Sequence, residues 1–110
     1  MRVIIKRPDE KVGHVCYISD SLKNLQNTVG GYIETHRLTY SPDGKPILMV
    51  CNEEGKLLGL KHNFSLPMDE IVGTIFLCSV KGDELTDLPL TFGLAEWKLF
   101  LTRLEEGDPE

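Results

Sequence analysis

The chain has 110 residues, 41 % hydrophobic and 26 % charged, with a net charge of −5. That is long enough for one domain with its own core, and no apolar run approaches the roughly 18 to 20 residues that cross a bilayer. Residues 1–55 carry seven basic and seven acidic side chains and residues 56–110 five and ten, so the acidic excess lies in the second half. Direct nucleic-acid binding, which needs a basic face, is not expected.

The first element is a short apolar strand, Val3-Ile4-Ile5. The N-terminus is too short for a signal peptide and lacks a small-residue cleavage site, so a cytoplasmic protein is expected. Arg2, Lys6, Arg7 and Lys11 form a local basic patch that would suit a small phosphorylated ligand. After a turn at Pro8-Asp9-Glu10-Lys11, residues 12–18 alternate as a second strand. Ser19-Asp20-Ser21 supplies helix-capping oxygens, and Leu22, Leu25 and Val29 form a helical stripe. Gly30-Gly31 stops that helix.

Residues 32–40 have strand composition, and Ser41-Pro42-Asp43-Gly44 is a turn. Residues 47–51 are almost continuously apolar, as in a central strand. Asn52-Glu53-Glu54-Gly55-Lys56 predicts a hairpin turn, with residues 57–60 returning as a strand. Residues 61–70 read as an irregular polar loop interrupted by Pro67. Residues 73–80 form another apolar strand, ended by Lys81-Gly82-Asp83. A last helix over 91–105, capped by Thr91, carries Leu94, Trp97, Leu101 and Leu104 on one stripe widened by Phe100. The tail from Glu105 to Glu110 reads as a solvated end. The fold class is α+β: a single domain, 1–110, with a mainly antiparallel sheet of five to six strands covered on one face by two helices.

Sites of chemistry are sparse. Cys16, Cys51 and Cys78 include no Cys-x-x-Cys pair and read as buried thiols of a reducing compartment. His14, His36 and His62 are too scattered for zinc spacing, so neither a metal nor a cofactor is expected. His14 and Cys16 share a strand face, but no Gly-x-Ser-x-Gly elbow exists. Acid pairs at Asp9-Glu10, Glu53-Glu54, Asp69-Glu70 and Asp83-Glu84 flank turns and read as solvated. The glycines at 30–31 follow a helix instead of feeding one, which argues against a phosphate loop. The chain is not read as an enzyme. Lys61-His62-Asn63 in the loop, with His36 and Arg37 on a strand, are the candidate ligand contacts.

Val29-Gly30-Gly31-Tyr32-Ile33-Glu34, Cys51-Asn52-Glu53-Glu54-Gly55-Lys56-Leu57, Asn63 and Ile71-Val72-Gly73-Thr74, in this order, resemble a family of small uncharacterised domains. That family is catalogued as a domain of unknown function and is found mainly in bacteriophages, plasmids and other mobile elements. The match covers about residues 1–80. The resemblance implies a mobile-element origin and supplies no catalytic residues; Asn63 is the matching residue without an evident structural role. Two functions are expected from it. One is a non-enzymatic counter-defence protein that sequesters a small nucleotide-derived signal, in a pocket within a subunit or between subunits of a homo-oligomer. The other is an acidic interaction module that inhibits or modulates a host protein.

Overall fold

Residues 47–51 and 75–79 are apolar or small at every position, and strands of that kind bury both faces of a sheet. In the computed structural model, which describes residues 1–107, they form the two central strands. The elements in chain order are β1 (Arg2–Lys6), β2 (His14–Tyr17), α1 (Leu22–Val29), β3 (Ile33–Tyr40), β4 (Pro46–Asn52), β5 (His62–Leu66), β6 (Asp69–Val72), β7 (Ile75–Lys81), β8 (Glu84–Thr86) and α2 (Leu94–Glu105). The main sheet runs β2-β1-β7-β4-β3, antiparallel throughout, and β8 pairs with the end of β7 beyond β1. β5 and β6 form a separate two-stranded hairpin.

The antiparallel sheet and both helices follow the sequence reading, but the helices do not share a face. Val3, Ile5, Leu48, Val50, Phe76 and Cys78 pack with Leu25 and Val29 of α1. Ile4, Ile47, Met49, Cys51, Ile75 and Leu77 pack on the other side with Trp97 and Leu101 of α2 and with Phe64 and Ile71 of the hairpin. Because the central residues of β1, β4 and β7 are apolar at successive positions, each face needs its own cover. Trp97 is fully buried, stands edge-on to Phe64 at 5.6 Å and donates its indole N–H to the Val12 carbonyl at 2.8 Å.

Both ends of α1 follow the local chemistry. Ser21 Oγ accepts from the Asn24 N–H, and Gly30, at φ +82°, returns its own N–H to the Gln26 carbonyl. Helix α2 begins later than expected, at Leu94 after Gly93; the Glu96 carboxylate accepts the Gly93 N–H at 2.7 Å. Thr91 is not its cap, and its hydroxyl instead donates to Asp43.

The largest departure lies between residues 53 and 72. Residues 57–60 form no strand; they wind through successive turns closed by Leu58 N–H to Glu54 O and Leu60 N–H to Gly55 O. Residues 61–70 are not an irregular loop: His62–Leu66 is β5, and Pro67 sits in the tight turn to β6. Proline fits there because its fixed φ suits a turn and no ladder N–H is required. Of the acidic tail, Asp108, Pro109 and Glu110 lie outside the described residues.

Candidate functional site

The glycine and Asn-Glu-Glu-Gly motifs are joined by one side chain. Asn52, buried at the end of β4, donates to the Val29 carbonyl at 3.3 Å and accepts the Glu54 N–H at 2.8 Å. It thereby ties the end of α1 to the turn after β4. A Cβ on Gly31 would stand 2.8 Å from the Asn52 amide nitrogen, which is why the chain needs glycine where these segments cross.

Asn63 has a comparable task. It is 7 % exposed, and its side chain makes three hydrogen bonds. Its amide donates to the carbonyls of Lys6 at 2.9 Å and Gly73 at 2.7 Å, and its Oδ1 accepts from Lys6 Nζ at 2.7 Å. One side chain therefore clamps β1, β5 and the β6–β7 connection together. Gly73 is held at φ +78°, where a Cβ would also lie 2.7 Å from Leu60 Cδ1, so the acceptor carbonyl rides on a backbone shape suited to glycine.

Lys6 is only 3 % exposed. Its remaining side-chain contact is the Asn63 carbonyl at 3.3 Å, and among the described residues no carboxylate pairs with it. Burial pushes its pKa below the usual lysine value, partly offset by the fields of Glu10 and Asp9. An ammonium has three donors; two reach Asn63, which leaves one on a side chain that lines a cleft of about 280 Å³. Lys11, His62 and Phe64 line the same cleft, with Leu101, Leu104 and Glu105 of α2 opposite.

The five candidate contacts do not converge. His62 and Asn63 border this cleft, with the His62 ring bound to Glu70 at 2.7 Å. Lys61 is exposed beside them, and its carbonyl accepts the Gly73 N–H. His36 pairs in register with Met49 and lies on the α2 face, whereas Arg37 pairs with Leu48 on the α1 face and donates to the Tyr40 hydroxyl at 3.0 Å. Of the basic patch at the N-terminus, Lys6 and Lys11 reach the cleft; Arg2 caps the Leu88 and Pro89 carbonyls, and Arg7 turns to Glu10. A side-chain hydrogen bond from Lys6 to Asn63 thus joins part of one predicted cluster to part of another across 57 residues.

A second cleft, of about 140 Å³, lies between β3–β4 and the hairpin. Glu34, His36 and Cys51 converge there: Glu34 Oε2 is 2.7 Å from His36 Nε2 and 3.9 Å from Cys51 Sγ. Asp69, Glu70 and Lys56 complete the lining, with Lys56 bound to Asp69. Burial, then the charges of Glu34 and Asp69, push the Cys51 thiol up to about 11. A third, apolar groove of about 480 Å³ separates the hairpin turn from α2 and is walled by Tyr40, Leu66, Pro67, Phe92, Leu99 and Phe100.

No described helix is long and apolar enough to cross a membrane. No curated protein and no solved structure matches the chain. A family model described as a domain of unknown function (DUF3846) matches residues 1–96, from β1 through the first turn of α2. With nearly nine-tenths of its length within that match, the chain belongs to the DUF3846 family of domains of unknown function.

Proposed function

We propose that this domain is a non-enzymatic binding protein, of phage or mobile-element origin, that holds a small anionic ligand in the cleft at Lys6. The ligand class is a nucleotide-derived signal, and the role is counter-defence in the host cytoplasm. The observation that carries the reading is a buried lysine that has no carboxylate partner among the described residues and stands at the wall of an open cleft. A buried cation is costly unless paired, and an incoming phosphate would supply the missing charge. Lys11 and His62 add donors at the mouth, while Phe64, Leu101 and Leu104 offer apolar wall for a base. Glu105 on the α2 side opposes an anion, so a ligand sits against Lys6 and Lys11 and away from the helix end.

The reading is tested by native mass spectrometry of the purified protein together with thermal unfolding against nucleoside phosphates, cyclic nucleotides and inorganic phosphate. A ligand at a hundred times its Kd adds about 2.7 kcal/mol, which for a domain of this size raises Tm by roughly 10 to 20 °C. Lys11→Ala and His62→Ala, both at exposed positions, should reduce that shift, and Arg37→Ala should not. A protein without retained ligand and without a shift on any member of the panel overturns the reading.

The apolar groove supports a second reading, an interaction module acting on a host protein. Tyr40 and Leu99 stay half exposed there beside Leu66 and Phe100. Such a module would retain a protein partner, lose it on Leu99→Asp, and keep it on Lys11→Ala.

A further inference from the structure

We propose that Glu34, His36 and Cys51 form a binding site for a divalent cation of zinc type. The donors come from adjacent antiparallel strands: Glu34 and Cys51 are direct cross-strand partners, and His36 lies two residues along β3 on the same face. Their ligand atoms lie within 4.8 Å of one another. A tetrahedral zinc with bonds of about 2.0 Å to oxygen and nitrogen and about 2.3 Å to sulfur holds its ligands roughly 3.3 to 3.6 Å apart. The Glu34–His36 separation of 2.7 Å must open slightly and the Glu34–Cys51 separation of 3.9 Å must close slightly, changes within side-chain rotation.

The donor chemistry selects the metal. A thiolate, an imidazole and a carboxylate together suit a borderline-soft ion, whereas calcium and magnesium take oxygen alone. Cys51 is 6 % exposed at the floor of the cleft, and Glu34 and His36 stand nearer its mouth, so an ion enters from solvent and meets the thiol last. Asp69 lines the same cleft and offers a carboxylate as a fourth ligand; Lys56, which now binds Asp69, is exposed and free to swing away. On binding, the hydrated cation loses water, the Cys51 S–H loses its proton to buffer, and a metal–sulfur bond forms; no electron is transferred. The site is distinct from the Lys6 cleft, which is bordered by β5 instead of β6 and shares none of these ligands.

Cobalt(II) tests it directly, since a thiolate-to-cobalt charge-transfer band in the near ultraviolet reports sulfur ligation. The expected result is a saturable band at one cobalt per chain, displaced by zinc. It should be lost in Cys51→Ser and unchanged in Cys16→Ser. His36→Ala and Glu34→Gln, at partly exposed positions where folding is kept, should weaken binding at least about tenfold, the range that loss of a metal-supporting group produces. Trp97 fluorescence verifies folding of each variant. The proposal is overturned by absence of a band in the native protein, by a band that survives Cys51→Ser, or by unchanged affinity in both His36→Ala and Glu34→Gln.

Discussion

Replacing Asn63 by alanine removes three buried hydrogen bonds in one step. Left behind are the Lys6 and Gly73 carbonyls, previously met at 2.9 and 2.7 Å, and the Lys6 ammonium, which loses its 2.7 Å contact and keeps only the residue-63 backbone carbonyl at 3.3 Å. Each buried polar group stripped of its partner costs about 1 to 3 kcal/mol, with the charged one at the upper end. The three are not additive, because the space vacated beside an open cleft admits water. A net loss of about 3 to 5 kcal/mol follows, a large share of the roughly 5 to 15 kcal/mol that holds a typical domain together. The assay is urea unfolding followed by the emission of Trp97, the single tryptophan, fully buried against Phe64 on the strand that carries Asn63. Lys61→Ala, two positions away and exposed, is the control and should change stability by less than about 0.5 kcal/mol. A loss below about 1 kcal/mol in Asn63→Ala would refute the clamp and return Asn63 to a role in ligand contact alone.

Three further outcomes are expected. Gly31→Ala drives a Cβ to 2.8 Å from the Asn52 amide and should destabilise by about 1 to 3 kcal/mol through overpacking; double-mutant analysis with Asn52→Ala should then show strong coupling. Ser21→Ala removes the oxygen that caps Asn24 and should cost about 1 kcal/mol in thermal unfolding, with no change in ligand or metal binding. The third outcome concerns pH. Burial lowers the Lys6 pKa below 10.5, so between the folded and unfolded values the unfolded chain binds more protons and stability rises with pH. Relative to Lys6→Met, the native protein should therefore gain stability as pH climbs through the lowered value toward 10.5, and a relative loss over that window would contradict the buried, unpaired lysine.

Much of the frame was legible locally. The Ser21 cap, the Gly30 stop and the unbroken apolar runs of β4 and β7 each state their structure within a few residues. What periodicity did not convey was which faces those runs meet. Alternation failed at β1, β4 and β7 because both sets of residues are apolar, and that same feature puts α1 and α2 on opposite sides. The hairpin is hidden in the sequence for a different reason. His62-Asn63-Phe64-Ser65-Leu66 is too polar to read as a strand, and Pro67 reads as a breaker until its place in a turn is known. Asn63 is polar inside the core because its partners lie 57 residues earlier and 10 later, and a local reading offers no access to either. The meeting of Glu34, His36 and Cys51 is likewise a matter of register, since ligand spacing along the chain is informative only when the ligands share a local segment.

The hairpin that escaped the sequence reading is also the element on which the candidate sites depend. His62, Asn63, Phe64 and Ser65 wall the Lys6 cleft, Leu66 and Pro67 wall the apolar groove, and Asp69 to Val72 wall the cleft at Cys51. A two-stranded ribbon is marginal by itself in water, so it holds position only through side chains that reach the main sheet. Phe64 and Ile71 supply apolar burial, and Asn63 supplies the directional bonds that fix register against β1. If the ribbon shifts, the Lys6 and Cys51 clefts change shape together, although they share no ligand-binding residue. Asn63→Ala should accordingly weaken both cobalt binding at Cys51 and any anion-induced thermal shift at Lys6. Lys11→Ala and His36→Ala should each affect only their own cleft. Intact cobalt affinity in a folded Asn63→Ala protein would show that the ribbon is anchored by its apolar contacts alone, and the coupling between the two clefts would fall with it.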